Sequence, residues 1–445
     1  MFTGNRRDLS AGEPLTEVLN RQSYSGNADW NLRFKDGKYV LQGFAGFSYI
    51  DGEPLAILRV QRSSARYFQR PDASHVRVDS SRTSLAGYAG SLSFDKRSGR
   101  HWLWGADFGA HSPNFELNDV GILSNADIVS TSAYLTYREN TPGKIYRSYQ
   151  VQTLLANDWN FGGNRKFTIL DFNTNVTWKN FWRHDFHFHY KWPALSDDLT
   201  RGGPLMGTAA DWHIASTLAS NFAAKVPWEI DLSYIRDELD GWTFDASTDV
   251  TFKPGARWEL SLGPGYFRQL KKRQYFDELG GGRAETFGRR YIFSTIERSE
   301  LAAEIRLNYT FTPDLSLELY AEPFVSSGRR FNHGELLAPR SKQLRLYGSD
   351  GTTIAPNPDG SFTVADGGDT FTLSNLDFND RFFRSNVVLR WEWRRGSTFF
   401  LIWQQDRFSS EKNGRLVTPS HLFDSFSAAG DNFLAVKVSY WLPVN

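Results

Sequence analysis

The stretch DFHFHYKW, residues 185–192, decides the fold because it carries two kinds of chemistry in strict alternation. In a β-strand, successive side chains point to opposite faces. One face of this strand would carry only aromatic rings, at residues 186, 188, 190 and 192. The other face would carry Asp185, His187, His189 and Lys191. The pattern predicts a strand with an apolar medium on one side and water on the other.

The same alternation recurs through most of the chain, in segments of about ten residues, the length that a tilted strand needs to cross a bilayer. In the segments 170–178, 228–234, 242–252 and 301–311, large apolar residues recur at every second position, with few gaps. The positions between them are polar and include Asp171, Asp231, Asp245, Asp249, Glu304 and Arg306. Repetition of this pattern predicts an all-β fold, a large antiparallel transmembrane β-barrel of roughly 16–20 strands around a polar lumen.

The connections between the predicted strands alternate between short and long. Short turns rich in Gly, Pro, Asp and Asn lie at 36–39, 95–100, 140–144, 179–183, 224–227, 253–257, 312–316 and 394–397. Longer loops fall mostly in the other slots, at 51–82, 112–125, 193–208, 268–288, 327–380 and 408–429. Short periplasmic turns and long extracellular loops are typical of outer-membrane barrels. The stretch 327–380 is predicted to be a long extracellular loop.

Strand counting gives roughly 17 strands from residue 27 onward, and an even barrel needs at least one more at the front, which FTGNRR, residues 2–7, can supply. Tryptophans support the barrel because they lie at strand ends, as in an aromatic girdle at the two lipid–water boundaries. Trp178, Trp228 and Trp258 adjoin short turns, whereas Trp192 lies at the opposite rim. A soluble β-sandwich would instead concentrate large aromatics in the middle of its strands.

The composition excludes several classes of protein. The chain has no cysteine, which rules out disulfides, thiolate metal sites and cysteine nucleophiles. Its 51 Lys and Arg nearly balance its 50 Asp and Glu, so no nucleic-acid partner is indicated. The mean hydropathy of -0.48 argues against an α-helical membrane protein, and no apolar run approaches the roughly 20 residues that a spanning helix needs.

Polar residues on the predicted lumen face and in the long loops are the candidates for ligand contact. The lumen candidates are Asp171, Asp185, His187, His189, Asp231, Asp245, Asp249, Glu304 and Arg306. The loop candidates are Arg70, Asp72, Asp197, Asp198 and Arg201. The loop charges can contact a ligand at the mouth or pin the loops together through ion pairs, and the second interpretation is favoured.

Two possible metal sites and one possible catalytic site are weaker interpretations of the pattern. His187 and His189, two residues apart, can chelate a metal, but the sequence positions no third ligand, so no metal site and no cofactor is predicted. The Asp-Gly pairs near Asp350 do not have the spacing of a calcium loop and indicate turns. His213 and His421 lie beside plausible catalytic partners but lack the local context of an activated nucleophile.

Five stretches of the chain resemble one family: residues 65–72, 118–127, 200–206, 312–328 and 376–407. They are similar to an outer-membrane barrel domain of unknown activity that, in Gram-negative bacteria, usually follows a sandwich resembling carbohydrate-binding-module family nine. The resemblance implies a barrel in the outer membrane and supplies no catalytic residues. It also implies that residues 1–445 form one barrel domain that lacks its first strands and an upstream sandwich.

Taken with the residue pattern, this resemblance sets the functional expectation. The chain is expected to be an outer-membrane channel, a transport component or a membrane anchor for a carbohydrate-binding domain. Its expected partners are outer-membrane lipid and a polar solute or carbohydrate, and its oligomeric state stays open. The alternative is an outer-membrane hydrolase with its active site in a loop or at the rim.

Overall fold

The computed structural model describes residues 1–10 and 12–442, and β-strands dominate them. In chain order the strands are β1 (Phe2–Arg6), β2 (Gln22–Phe34), β3 (Tyr39–Asp51), β4 (Ser84–Lys96), β5 (Trp102–His111), β6 (Ile128–Glu139), β7 (Tyr146–Trp159), β8 (Arg165–Trp178), β9 (Arg183–Lys191), β10 (Leu195–Ser196), β11 (Met206–Gly207), β12 (Asp211–Ala219), β13 (Trp228–Asp237), β14 (Trp242–Gly255), β15 (Trp258–Gly280), β16 (Arg289–Thr312), β17 (Leu315–Leu336), β18 (Leu344–Leu346), β19 (Thr352–Pro356), β20 (Phe362–Asp366), β21 (Asp369–Leu373), β22 (Phe378–Arg394), β23 (Ser397–Glu411) and β24 (Gly430–Ser439).

In the described part of the chain, two α-helices accompany the strands, α1 (Pro54–Arg62) and α2 (Pro419–Asp424). Each begins with a proline in its first turn. The N–H groups of a first turn form no hydrogen bond within the helix, so the N–H that proline lacks costs the helix no hydrogen bond. Neither helix in the described residues has the length and apolar content needed to cross a membrane.

Within the described residues, the main sheet holds 19 strands, and all of its pairings are antiparallel. β18 pairs only with the outer end of β17. The other 18 strands form a barrel wall in which each strand pairs with the next wall strand along the chain. The strand count and the antiparallel order therefore confirm the predicted fold class. The predicted front strand is confirmed as well, because FTGNR forms β1.

Within the same described residues, the two ends of the wall are not paired with each other. β1 pairs with β2 only, and β24 pairs with β23 only. Most side chains of β24 are exposed. The wall therefore keeps two strand edges whose backbone groups are free to pair.

The wall exposes apolar side chains and buries polar ones. In β4, Leu92 and Phe94 are 44% and 40% exposed, whereas Ser93 and Asp95, which alternate with them, are 8% and 6% exposed. In β3, Phe47 and Tyr49 flank a buried serine in the same way. A soluble protein sorts its residues in the opposite sense. The observed partition is the one predicted for a wall with lipid outside and a polar lumen inside.

The two rims differ as predicted, with two corrections. The predicted short turns all join neighbouring wall strands at one rim. The loop expected at 268–288 is shorter, because β15 continues to Gly280. The loop expected at 327–380 is more ordered, because β17 continues to Leu336 and β18 to β21 follow it. β15, β16 and β17 have 23, 24 and 22 residues, about twice the spanning length, so their outer halves need no lipid-facing alternation.

Buried apolar residues gather at the long-loop rim, in a region we call the outer cap (residues 52–83, 112–127, 192–210 and 337–377, with the adjoining strand ends). One cluster joins Met206 to Tyr291, Phe293 and Leu336. Others join Ile57 to the ends of β3 and β4, and Tyr347 to β16, β20 and β21. The predicted strands thus carry the wall, while the long loops supply most of the dry core.

The loops of the outer cap meet across the mouth of the wall. The Leu205 N–H donates to Asp72 Oδ2 at 2.9 Å, and the Arg340 N–H donates to the Leu205 carbonyl at 2.7 Å. These three residues lie in loops that follow β3, β9 and β17, which are far apart along the wall. Loops from such distant strands can meet only by crossing the mouth, so the cap narrows it.

Candidate functional site in the lumen

Three histidines come together on the lumen face of the wall. His187 and His189 lie on β9, and His213 lies on the neighbouring β12. The register places His189 directly opposite His213, and Asp171 of β8 opposite His189 on the other side. The alternation in DFHFHYKW therefore puts His187 and His189 on the same face of the wall as His213.

We call His187, His189 and His213 the histidine cluster. Their ring centroids are 4.9 to 5.4 Å apart, and the rings are tilted or edge-on to one another. Each ring has one nitrogen, Nδ1 or Nε2, so placed that the three nitrogens lie within 4.8 Å of one another. All three side chains are half-buried. Three imidazoles at this separation can converge on one small cation.

Carboxylates and a hydroxyl hold the three rings. His187 Nε2 is hydrogen-bonded to the Asp171 carboxylate. His189 Nε2 lies 3.2 Å from Asp211 Oδ1, and Lys191 Nζ donates to the other oxygen of that carboxylate at 3.2 Å. His213 Nε2 lies 2.8 Å from Ser233 Oγ. Each ring is therefore oriented by its neighbours before any ligand arrives.

A cavity of about 450 Å³, which we call the luminal cleft, adjoins the histidine cluster. It lies between the wall and the connection from β9 to β12, and Lys191 and Asp211 belong to both the cleft and the cluster's surroundings. Its charged lining consists of Lys166, Lys191, Lys271, Lys272, Arg273, Asp158, Asp198, Asp211 and Asp237. Five cationic and four anionic side chains suit a polar solute that carries charge, and a negative charge above all.

The other predicted lumen residues lie along the wall and do not join the cluster. Asp185 accepts a hydrogen bond from Asn175, and Asp231 accepts one from Thr217. Asp245, Asp249, Glu304 and Arg306 lie on β14 and β16. Arg306 pairs with Glu304, and its guanidinium lies 4.9 Å from the Tyr320 ring centroid.

Among the loop candidates, Arg70 and Asp197 form part of a buried ion-pair network. Arg70 lies 2.8 Å from Asp127 and 2.9 Å from Asp197, and Lys166 Nζ is 2.7 Å from the same Asp197 carboxylate. His75 contacts Asp127 at 2.8 Å. Burial alone would raise the pKa of Asp127, but hydrogen bonds from His75 and a backbone N–H, with the charges of His75 and Arg70, hold that pKa below its usual range.

The remaining loop candidates contact other parts of the cap or the cleft. Asp72 accepts the Leu205 N–H, as described above. Asp198 is hydrogen-bonded to Ser196 and lines the luminal cleft. The Arg201 guanidinium lies 4.4 Å from the Tyr275 ring centroid. These contacts favour the loop-pinning interpretation for Arg70, Asp72 and Asp197, and they leave Asp198 facing a cavity.

The two histidines considered for catalysis are held in different ways. His213 contacts Ser233, but within the described residues its other ring nitrogen has no carboxylate partner of the kind a catalytic triad needs. His421 caps α2 by accepting the Thr418 N–H at Nδ1, 3.3 Å away. In the part of the chain that the structure describes, the geometry therefore assembles no Ser-His-Asp set around either histidine.

Several residues of the site were missed from the sequence. His213 was not recognised as a neighbour of His189, nor Asp211 as its hydrogen-bond partner. The long connection between β9 and β12 leaves the pairing register unspecified, and a shift of one residue would move every side chain to the other face. The one available signal was that DWH, residues 211–213, shares the polar-aromatic alternation of DFHFHYKW.

Comparison with known proteins gives remote structural likenesses and one family. No curated protein matches the chain. The solved ferric enterobactin receptor PfeA, in complex with BCV-L6, is 9% identical with a TM-score of 0.41, over 98% of this chain and 71% of that one. The siderophore receptor PirA from Acinetobacter baumannii is 9% identical with a TM-score of 0.38, over 94% of this chain and 70% of that one.

A mutant of the ferric enterobactin receptor from Pseudomonas aeruginosa is also 9% identical, with a TM-score of 0.40, over 93% of this chain and 69% of that one. These TM-scores are below 0.5, so the fold assignment rests on the strand pairing and side-chain partition described above. The family model of a domain of unknown function, DUF5916, matches residues 55–445. Because this match spans most of the chain, the protein belongs to the DUF5916 family.

Proposed function

We propose that this protein lies in the outer membrane of a Gram-negative bacterium and admits a polar, charged solute to its lumen, where the luminal cleft binds it. The observation that carries the proposal is the partition of the wall, with apolar side chains exposed on the outside and polar side chains buried on the inside of strands such as β3 and β4. An apolar band of this extent on the outside of a wall would cause aggregation in water. In a bilayer the same band is stabilising.

The solute class follows from the lining of the cleft. Lys271, Lys272 and Arg273 are consecutive on β15 and all line the cavity, opposite carboxylates such as Asp211 and Asp237. Separated charges of both signs bind a small polar anion or zwitterion better than an apolar molecule. An acidic carbohydrate belongs to this class. Selectivity would come from these side chains and from the cap that narrows the mouth.

A second role, a membrane anchor for a carbohydrate-binding domain, is favoured by one feature of the cap. The hydrogen bonds that join Asp72, Leu205 and Arg340 across the mouth would obstruct passage if they persist. An anchor needs the wall but no open path. The two roles therefore share the wall and differ in conductance.

Planar-bilayer recordings of the purified full chain test the proposal. We expect discrete conductance steps with a preference for anions. Replacing Lys271→Gln and Lys272→Gln together should lower that preference, because two cationic groups leave the cleft. Lys412→Gln, in an exposed loop, is the matched control and should leave ion selectivity unchanged.

Two results would count against the proposal in different ways. Protein that inserts into the bilayer without conducting would support the anchor instead of solute passage. Protein that stays monodisperse in buffer without detergent would refute the membrane location itself, because the exposed apolar band could not then be lipid-facing.

A further inference from the structure

We propose that the histidine cluster binds one divalent transition-metal ion, for which Zn²⁺ is the best-suited probe. Imidazole nitrogens are preferred ligands of Zn²⁺, Cu²⁺ and Ni²⁺ and are poor ligands of Mg²⁺ and Ca²⁺. The inference stands on the geometry of the wall and does not require that any solute passes through the lumen.

The strand register brings the three ligands together. His189 and His213 are a direct cross-strand pair, and His187 lies two residues from His189 on the same face. Their ligand atoms lie within 4.8 Å of one another. A tetrahedral Zn²⁺ with Zn–N bonds of about 2.0–2.1 Å holds its nitrogens about 3.3 Å apart. Small side-chain rotations close that difference, because the strands already fix the Cα positions.

The carboxylates complete the set of donors. Asp171 touches His187 Nε2, so it can either orient that ring or move onto the ion as a fourth ligand. Asp211 holds His189. A carboxylate on one imidazole nitrogen fixes the ring and strengthens the other nitrogen as a donor. Together, the two aspartates also offset the charge of a divalent cation.

The ordinary alternative is a group of lumen-facing histidines that are only hydrogen-bonded. Hydrogen bonds to Asp171 and Asp211 explain the positions of two rings one at a time. The strand register by itself places the three ring centroids 4.9 to 5.4 Å apart, so the same arrangement suits a hydrogen-bonded group and a metal site, and binding of an ion distinguishes the two. An ion between the rings would be coordinated by one nitrogen from each of the three histidines. It would also keep a coordination position for water or for an anionic group of a solute in the adjoining cleft.

Isothermal titration of the full chain in detergent, after removal of metals with a chelator, tests the site. ZnCl₂ should bind with one ion per chain and a Kd in the micromolar range or tighter. NiCl₂ should compete for the same site. MgCl₂ should give no saturable heat, because Mg²⁺ prefers oxygen ligands in octahedral geometry.

Variants separate a built site from chance binding to histidine. His213→Ala should weaken Zn²⁺ binding by about 100-fold or more, and Asp171→Asn by about 10- to 100-fold. The matched control is His184→Ala, because His184 lies on the same β9 but on the opposite face, hydrogen-bonded to Ser216. His421→Ala on α2 is a second control. Both controls should keep the wild-type affinity, and the β-sheet circular dichroism of every variant should match wild type.

Two outcomes would overturn the metal site: no stoichiometric Zn²⁺ binding by the folded chain, or an equal loss of affinity in His184→Ala and His213→Ala. The bilayer recordings keep this proposal apart from the proposed function. A chain that conducts but binds no Zn²⁺ refutes the metal site only. A chain that binds Zn²⁺ but does not conduct refutes solute passage only.

Discussion

The middle of the wall and the outer cap sort the same kinds of side chain in opposite directions. In the wall, Leu92 and Phe94 face outward and Asp95 is buried. In the cap, Phe293 and Met206 are fully buried. One chain can do both only if the two regions meet different surroundings. The wall has an apolar medium outside and polar groups within, whereas the cap has water outside and a dry core within.

This difference implies that the two regions are stabilised differently. The cap gains its stability from apolar burial and from buried ion pairs, as any soluble domain does. The outward apolar side chains of the wall contact lipid. For such a side chain, contact with lipid is about as favourable as contact with another apolar side chain, so it adds little to the stability of the wall. The main requirement of the wall is that backbone N–H and C=O groups facing lipid are paired, since lipid offers no hydrogen bonds. Within the described residues the inner strands of the wall meet this requirement on both sides, whereas β1 and β24 meet it on one side only. Substitutions in the two regions should therefore have different consequences.

The largest effect should come from a cavity in the cap. Phe293→Ala removes a fully buried ring that packs with Met206, Tyr291 and Leu336, and should lower the free energy of unfolding of the cap by about 3–5 kcal/mol. Limited proteolysis of the loops during a urea titration measures this loss. Phe108→Ala, on the outside of β5, leaves no cavity and should change cap stability very little. Equal losses would mean that the two regions are not distinct.

The next effect should come from a charge on the lipid-facing side of the wall. Leu232→Arg on β13 should cost about 2–4 kcal/mol of folding free energy in phospholipid vesicles if Leu232 lies near the middle of the bilayer. In a soluble protein the same exposed position would tolerate arginine within about 0.5 kcal/mol. Urea unfolding of vesicle-inserted protein, followed by tryptophan fluorescence, gives the measurement.

The matched control for that charge lies on the lumen face. Ser247→Arg places the same side chain on β14 opposite Asp231, whose carboxylate attracts a cation. It should change stability little compared with Leu232→Arg. If both arginines cost the same, the wall does not separate lipid from water as proposed.

The sequence predicts the wall well because the period-two alternation indicates which face of a strand meets lipid and which meets the lumen. In DFHFHYKW, the aromatic residues mark the outer face and the polar residues mark the lumen face, so no long-range information is needed. The same is true of the short turns, whose Gly, Pro, Asp and Asn residues act locally. The strands of the wall and the short turns depend on residues that are close together in the sequence, so both can be predicted from it.

The histidine cluster and the cap depend on contacts that the sequence does not record locally. His213 meets His189 only because β9 and β12 pair in one particular register. Arg66 pairs with Glu116 in the interior of the cap, at 2.7 Å, although the two residues belong to different loops. The outer ends of β15 and β17 lie in stretches predicted to be loops, because a strand in water with loops packed on it needs no alternation. Long-range packing decides these features.

The smallest predicted effect is a difference in acid sensitivity between the cap and the wall. The pKa of Asp127 is held below its usual value of 3.8 by the partners that surround it, namely His75, Arg70 and the Phe161 N–H. A carboxyl with a lowered folded-state pKa stabilises the fold above its unfolded-state pKa. That contribution is lost as pH falls below about 3.8 and through the lower folded-state pKa.

Hydrogen–deuterium exchange by mass spectrometry from pH 7 to pH 3, corrected for intrinsic exchange rates, measures this difference. The segments 65–76 and 118–127 should lose protection in acid before the paired strands β4 and β5 do, because the strands are held by backbone hydrogen bonds that do not titrate in this range. In Asp127→Asn the cap should be less protected at pH 7 and should change less between pH 5 and pH 3. If cap and wall instead lose protection together, at one pH, they unfold as a single unit. The two regions would then differ in the distribution of their side chains but not in the interactions that stabilise them.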